Sequence, residues 1–121
     1  MGDYEKLAVW RKAHALTCAI YRATASMPAV HRYVLGNQLR RAAVSIGANI
    51  VEGVGRESDG HLKNHLTFSL GSANEVHYLL LVARDVGALP ARLADALRAE
   101  AGELRRMTAG FLLSVRHGRR R

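Results

Sequence analysis

Apolar residues recur along this chain at alternating steps of three and four, the spacing that keeps one face of an α-helix out of water. Val9, Ala13, Leu16, Ile20, Ala23 and Met27 predict a first helix from about Tyr4 to Ser26, with Leu7 and Trp10 widening the stripe. Leu35, Leu39, Ala42, Ala43, Ile46, Ile50 and Gly53 predict a second from about His31 to Gly53. Leu62, Leu66, Ser69, Ala73, Val76, Leu80 and Ala83 predict a third from about Gly60 to Val86. Leu93, Leu97, Leu104, Met107, Phe111 and Val115 continue the pattern from Pro90 until it fades at Gly118. No stretch sustains the alternation of a strand.

The breaks fall where the chemistry asks for them. Pro28 and Pro90 are the only prolines, and each stands between two periodic segments. Residues 53–60 (GVGRESDG) read as a linker, with glycine suited to a left-handed helix end and Ser58 or Asp59 suited to cap the next helix. Gly71, Ser72 and Ala73 are small residues in mid-helix, which predicts a close helix crossing. Short turns between four long amphipathic helices predict an all-α, antiparallel up-down four-helix bundle. The expected division is a single domain over residues 1–117 and a basic C-terminal tail over 118–121. The second helix carries two further arcs, one of Val44, Gly47 and Val51 and one of Asn37, Arg41, Ser45, Asn49, Glu52 and Arg56. A second apolar arc suggests an enclosed helix or a subunit contact, so Val44, Gly47, Val51 and Gly71 are the candidate interface of a homo-oligomer.

Charge sharpens this picture. The 121 residues include 18 Lys plus Arg against 10 Asp plus Glu, a formal charge of +8. Residues 6–51 hold seven bases and no acid, and residues 105–121 hold six arginines and no acid. Such a field attracts polyanions. One cysteine, Cys18, excludes an intrachain disulfide and fits a reducing compartment. No apolar run approaches the roughly 20 residues of a bilayer span, and no secretion signal is seen at the N-terminus. The expectation is a cytoplasmic protein that contacts no membrane.

Residues 33–56 (YVLGNQLRRAAVSIGANIVEGVGR) resemble the signature of the bacterial four-helix-bundle family called the 23S rRNA intervening-sequence proteins. The likeness extends to Val9-Trp10-Arg11-Lys12-Ala13 and to Gly71-Ser72-Ala73-Asn74-Glu75, and so covers nearly the whole chain. Gly47 stands where the family often has Pro, Val51 where it often has Ala, and Tyr33-Val34-Leu35 where it often has Tyr-Gly-Leu. The resemblance implies a four-helix bundle assembled into a ring-like homo-oligomer, typically a pentamer, with no enzymatic activity. The family is also similar to accessory proteins of diversity-generating retroelements, basic pentameric bundles that associate with a reverse transcriptase and nucleic acid.

Two sets of polar residues follow. Arg41, Ser45, Asn49, Glu52 and Glu75 are the candidate structural network, fixing register between helices or subunits. Arg40, Arg56, Lys63, Arg116, Arg119, Arg120 and Arg121 are the candidate nucleic-acid contacts, binding backbone phosphates with weak sequence preference because few aromatics are free to stack on bases. Motifs of catalysis are incomplete. His61 and His65 share a helix face but lack the third ligand of a zinc site, and Leu62 stands where a metalloprotease has Glu. His14 has no carboxylate within two turns, His77 follows Glu75 by two, and Gly53-Val54-Gly55 lacks the rest of a phosphate loop. Cys18 reads as a small packing residue. The expectation is therefore a non-enzymatic oligomeric bundle without cofactor, metal or small-molecule substrate, whose partners are itself and RNA or DNA. The alternatives are a protein-binding adaptor and a purely structural oligomer.

Overall fold

The computed structural model describes residues 3–55 and 58–116. A 3-10 turn at Asp3–Lys6 leads into α1 (Ala8–Ala25), followed by the short α2 (Ala29–Arg32) and the long helices α3 (Leu35–Val54), α4 (Asp59–Asp85) and α5 (Ala91–Arg116). No strand occurs among the described residues. Helix α3 packs on α1 and α4, α4 packs on α5, and α5 returns to α1, so the four long helices enclose one core.

The apolar stripes meet in that core. Ile20, Leu39, Ile46, Ile50, Leu62, Leu66, Leu80 and Leu104 are fully buried, and each such side chain contributes about 1.5–3 kcal/mol. Alanines at 13, 43, 73, 83 and 101 fill the narrow places between them. Every position of the main stripes read from the sequence in α1, α3 and α4 is buried, while Leu7, Trp10 and Val51 are half-buried and Val44 is exposed. In α5 Leu97, Leu104 and Val115 are buried, Met107 and Phe111 pack half-buried against the core, and Leu93 is exposed. Ala94, Ala101, Gly102, Thr108 and Leu112 join the buried seam, and most of these are small or polar residues that carry little hydropathy in the sequence.

Hydroxyls inside the bundle bond to the backbone. Ser69 Oγ donates to the Ile46 carbonyl at 2.9 Å, joining α4 to α3. Thr17 Oγ1 lies 2.8 Å from the Ala13 carbonyl and 3.0 Å from that of Ala43, so its single proton is shared between α1 and α3. No buried side-chain polar atom among the described residues lacks a partner, which avoids a desolvation cost of about 1–3 kcal/mol for each.

Three helix ends differ from expectation. The first helix begins at Ala8, not Tyr4, after the 3-10 turn. The expected second helix is divided at Tyr33-Val34, because side chains capture the carbonyls that a continuous helix would pair. Asn37 Nδ2 donates to Tyr33 O at 2.6 Å, and Arg40 Nη2 donates to Arg32 O at 3.3 Å. The expected left-handed glycine at residues 53–55 is absent: α3 runs through Gly53, and Gly55 has φ −78°. Gly53 is needed for space instead, since a Cβ there would meet His65 Cβ at 3.0 Å and Leu62 Cδ1 at 3.1 Å.

Other signals operate as their chemistry requires. Ser58 Oγ accepts the His61 backbone N–H at 3.1 Å and caps α4. Gly87, with φ +75°, closes α4. Ala88 N donates to Ala83 O at 2.8 Å and Gly87 N to Arg84 O at 3.1 Å, the paired bonds of a Schellman end. Pro90 then precedes α5, its carbonyl accepting from Ala94 N at 3.0 Å.

Candidate nucleic-acid interface

Helix α5 sorts its charges by face. Glu100 and Glu103 point toward α1, where Lys12 Nζ pairs with both, Glu103 at 3.4 Å. The Lys12 pKa is raised first by its hydrogen bond to Glu100. Arg98, Gly102, Arg105, Arg106 and Ala109 lie on the side facing α4, at the helical steps of three and four. They line two adjoining cavities between α4 and α5, about 390 and 260 Å³, which share Arg106. The first is also lined by His77, Asp95 and Ala99, the second by Leu70, Asn74 and Ala109.

His77 organises the larger cavity. Arg98 Nε donates to the His77 carbonyl at 3.2 Å, and Arg105 Nη1 lies 3.2 Å from His77 Nδ1. A guanidinium only donates, so Nδ1 accepts and the ring proton resides on Nε2. Burial, followed by the charges of Arg98 and Arg105, holds the His77 pKa below the ordinary 6.5. The imidazole is therefore neutral near pH 7. Its Nε2 edge lies beside Gly102, where an added Cβ would stand 3.8 Å from Nε2 and 3.7 Å from Arg106 Nη1. Asp95, at the mouth of the cavity, is engaged by Arg84 Nη1 at 2.9 Å, while Arg84 Nε contacts Asp85 at 3.1 Å.

The candidates read from the sequence are distributed differently. Arg40 is half-buried and committed to its own helix start: Nη1 donates to Thr24 Oγ1 at 2.9 Å, and Nη2 reaches Arg32 O and Asn37 Oδ1. Lys63 and Arg116 are exposed on α4 and at the end of α5. Arg56, Arg119, Arg120 and Arg121 lie outside the described residues. Of the polar set, Ser45 and Asn49 come together with two residues of α4 absent from that list. Ser72 Oγ donates to Ser45 Oγ at 2.8 Å, Asn49 Nδ2 reaches Ser45 O at 2.8 Å, and His65 Nδ1 donates to Asn49 Oδ1 at 3.0 Å. Arg41, Glu52 and Glu75 are exposed.

Among the candidate contacts between copies, Val44 is exposed, Val51 is half-buried, and Gly71 has nothing within 4 Å of an added Cβ. The close crossing expected at Gly71 is thus absent within the chain; Ser72 and Ala73 make the approach to the core. Gly47 faces Trp10 of its own chain, where an added Cβ would stand 3.6 Å from the indole nitrogen. His61 and His65 have separate partners, Ser58 Oγ at 2.8 Å and Asn49. Cys18 is half-buried, with its Sγ 3.7 Å from His14 Nε2.

The sequence reading missed His77, Arg98, Arg105 and Arg106 as a group. The seven-residue spacing of Arg98 and Arg105 carried part of the signal, but Glu100 and Glu103 between them hid the separation of charge by face, and nothing local tied His77 to either arginine.

These features define a small all-α helical-bundle protein with an arginine-lined groove. The chain belongs to the 23S rRNA-intervening sequence protein family, which it matches over residues 5–110. Among solved structures it is similar to a protein of unknown function from the S23 ribosomal protein family of Bacteroides thetaiotaomicron VPI-5482. The TM-score is 0.78 at 22% identity, covering 87% of this chain and 98% of that one. That likeness shows the helical fold. No curated protein matches the chain. No helix among the described residues is long and apolar enough to cross a membrane.

Proposed function

We propose that this protein is a non-enzymatic scaffold or accessory factor that associates with nucleic acid, working as a ring of antiparallel up-and-down four-helix bundles. The reversed order of contacts supports the bundle topology. Thr17 meets Ala43 while Thr24 meets Arg40, Ser72 meets Ser45 while His65 meets Asn49, and Arg84 meets Asp95 while His77 meets Arg105. Exposed Val44 on α3 and Phe68 and Tyr78 on α4 support self-association. The count of five copies rests on the family resemblance.

One observation carries the nucleic-acid reading. Lys12 and Arg84 together engage Glu100, Glu103, Asp85 and Asp95. Arg22, Arg41, Lys63, Arg106 and Arg116 are exposed and have no carboxylate partner among the described residues. On a chain of charge +8, that surface attracts phosphates, and symmetric copies multiply the effect.

Titration of labelled RNA and DNA, single- and double-stranded, tests this across salt. The expected result is binding at low salt whose logarithm falls linearly with that of salt concentration, at about 0.7–0.9 per phosphate contact. Absence of binding at low salt refutes the reading. Light scattering tests assembly, and a clean monomer mass removes the ring.

A further inference from the structure

We propose that the groove between α4 and α5 is a phosphoryl-anion site, seated over Gly102 between His77 Nε2, Arg98 and Arg106. The proposal deepens the nucleic-acid reading and takes from it only the source of the phosphoryl group. The seat has three features that a chance cluster of surface arginines lacks.

First, the donors are held in place. Arg98 is anchored through Nε to the His77 carbonyl, which leaves its two terminal nitrogens for a ligand. Arg105 fixes the imidazole by bonding Nδ1, and so acts as a positioning residue. Nε2–H is then the ring's remaining donor, at the edge nearest Gly102.

Second, positive charge is in excess, with Asp95 the one carboxylate in the lining of the larger cavity. Arg98, Arg105 and Arg106 have no carboxylate partner among the described residues, and Asp95 at the mouth is engaged by Arg84. A multiply charged tetrahedral anion answers this set of convergent forked donors, and charge-assisted bonds of this kind are roughly twice as strong as neutral ones.

Third, the floor is open. Gly102 is buried without a side chain, beneath a cavity of about 390 Å³ that continues past Arg106 into one of about 260 Å³. Arg98 and Arg105 are separated by about 10 Å along the helix axis, so the groove has length for successive phosphoryl groups.

The source is a phosphodiester strand or a free phosphoryl compound, and the test separates them. His77 imidazole signals are followed by NMR during addition of inorganic phosphate, with chloride holding ionic strength constant. A parallel titration uses single-stranded RNA lacking terminal phosphates. Wild type, Arg106→Gln, Arg98→Gln and Gly102→Ala are compared. The Gly102→Ala Cβ makes only ordinary contacts, so this variant tests the seat without removing a charge.

Saturable shifts of the His77 signals by both probes are expected. Affinity should fall about tenfold in Arg106→Gln, a loss of roughly 1.4 kcal/mol, with the helical circular dichroism retained. Shifts with phosphate alone keep the site and overturn its nucleic-acid source. RNA binding that leaves His77 unmoved and is equal in all variants overturns the groove while the nucleic-acid reading stands. No His77 shift with either probe at low salt also overturns the site.

Discussion

Arg105 Nη1 stands 3.2 Å from His77 Nδ1 across the α4–α5 groove, so a permanent cation holds a titratable ring in one tautomer. Arg98 and Arg106 share this side of α5, with Asp95 at the groove mouth. A proton added to His77 would lose the Arg105 hydrogen bond and meet the charges of Arg98 and Arg105.

This arrangement predicts a pH dependence of stability. Burial, then Arg98 and Arg105, lowers the folded His77 pKa below 6.5. As pH falls through about 6.5, the unfolded chain takes up a proton that the folded chain refuses, so the unfolded state holds more protons and stability declines. The decline continues until the folded pKa is reached, and above the unfolded pKa the penalty is absent. Urea unfolding of wild type and His77→Gln between pH 8 and 5 measures it. Wild type should lose stability relative to the variant on acidification; parallel profiles would refute the coupling.

Two glycines should respond in opposite directions. An added Cβ at Gly53 meets His65 Cβ at 3.0 Å and Leu62 Cδ1 at 3.1 Å, whereas one at Gly71 meets nothing within 4 Å. Gly53→Ala should destabilise by about 1–3 kcal/mol through overpacking. Gly71→Ala should stabilise by about 0.5–1 kcal/mol through helix propensity. Denaturant midpoints of the two variants check the signs.

Arg40 should behave as a structural residue. Its guanidinium joins Thr24 Oγ1, Arg32 O and Asn37 Oδ1 where the chain turns from α2 into α3. Arg40→Ala should cost about 1–3 kcal/mol, and Arg40→Lys should recover little because an ammonium lacks the planar fork. Thermal unfolding of the three proteins provides the comparison, and an unchanged Arg40→Ala would contradict the assignment.

Ser58 sets the start of α4. Loss of its bond from the His61 N–H in Ser58→Ala should lower stability by about 1 kcal/mol. Ser58→Asp should restore most of it, since an aspartate caps and favours the helix N-terminus. Equal stability of all three proteins would refute a capping role.

The regular three-and-four spacing in α1, α3 and α4 was legible from the residues alone, because burying apolar surface is the dominant local demand and large aliphatics announce it. Pro28, Pro90 and Ser58 were legible too, because each has a conformational or hydrogen-bonding preference that needs no distant partner. The family signature was legible as a contiguous block. Arg40 reads in the sequence as a free cation because its charge is visible there, while the Arg32 carbonyl and the Thr24 and Asn37 side chains that engage it are not.

The sequence by itself determined the helices, their core stripes and the surplus of positive charge, all of which follow from backbone geometry, hydropathy and ionisation. Tertiary structure alone decided which helix meets which, how Gly53 is packed, and which arginines are consumed. Lys12 draws Glu100 and Glu103 to one side of α5, while His77 receives Arg98 and Arg105 on the other. That division depends on distances between residues far apart in the chain, and such distances exist only once the helices have packed.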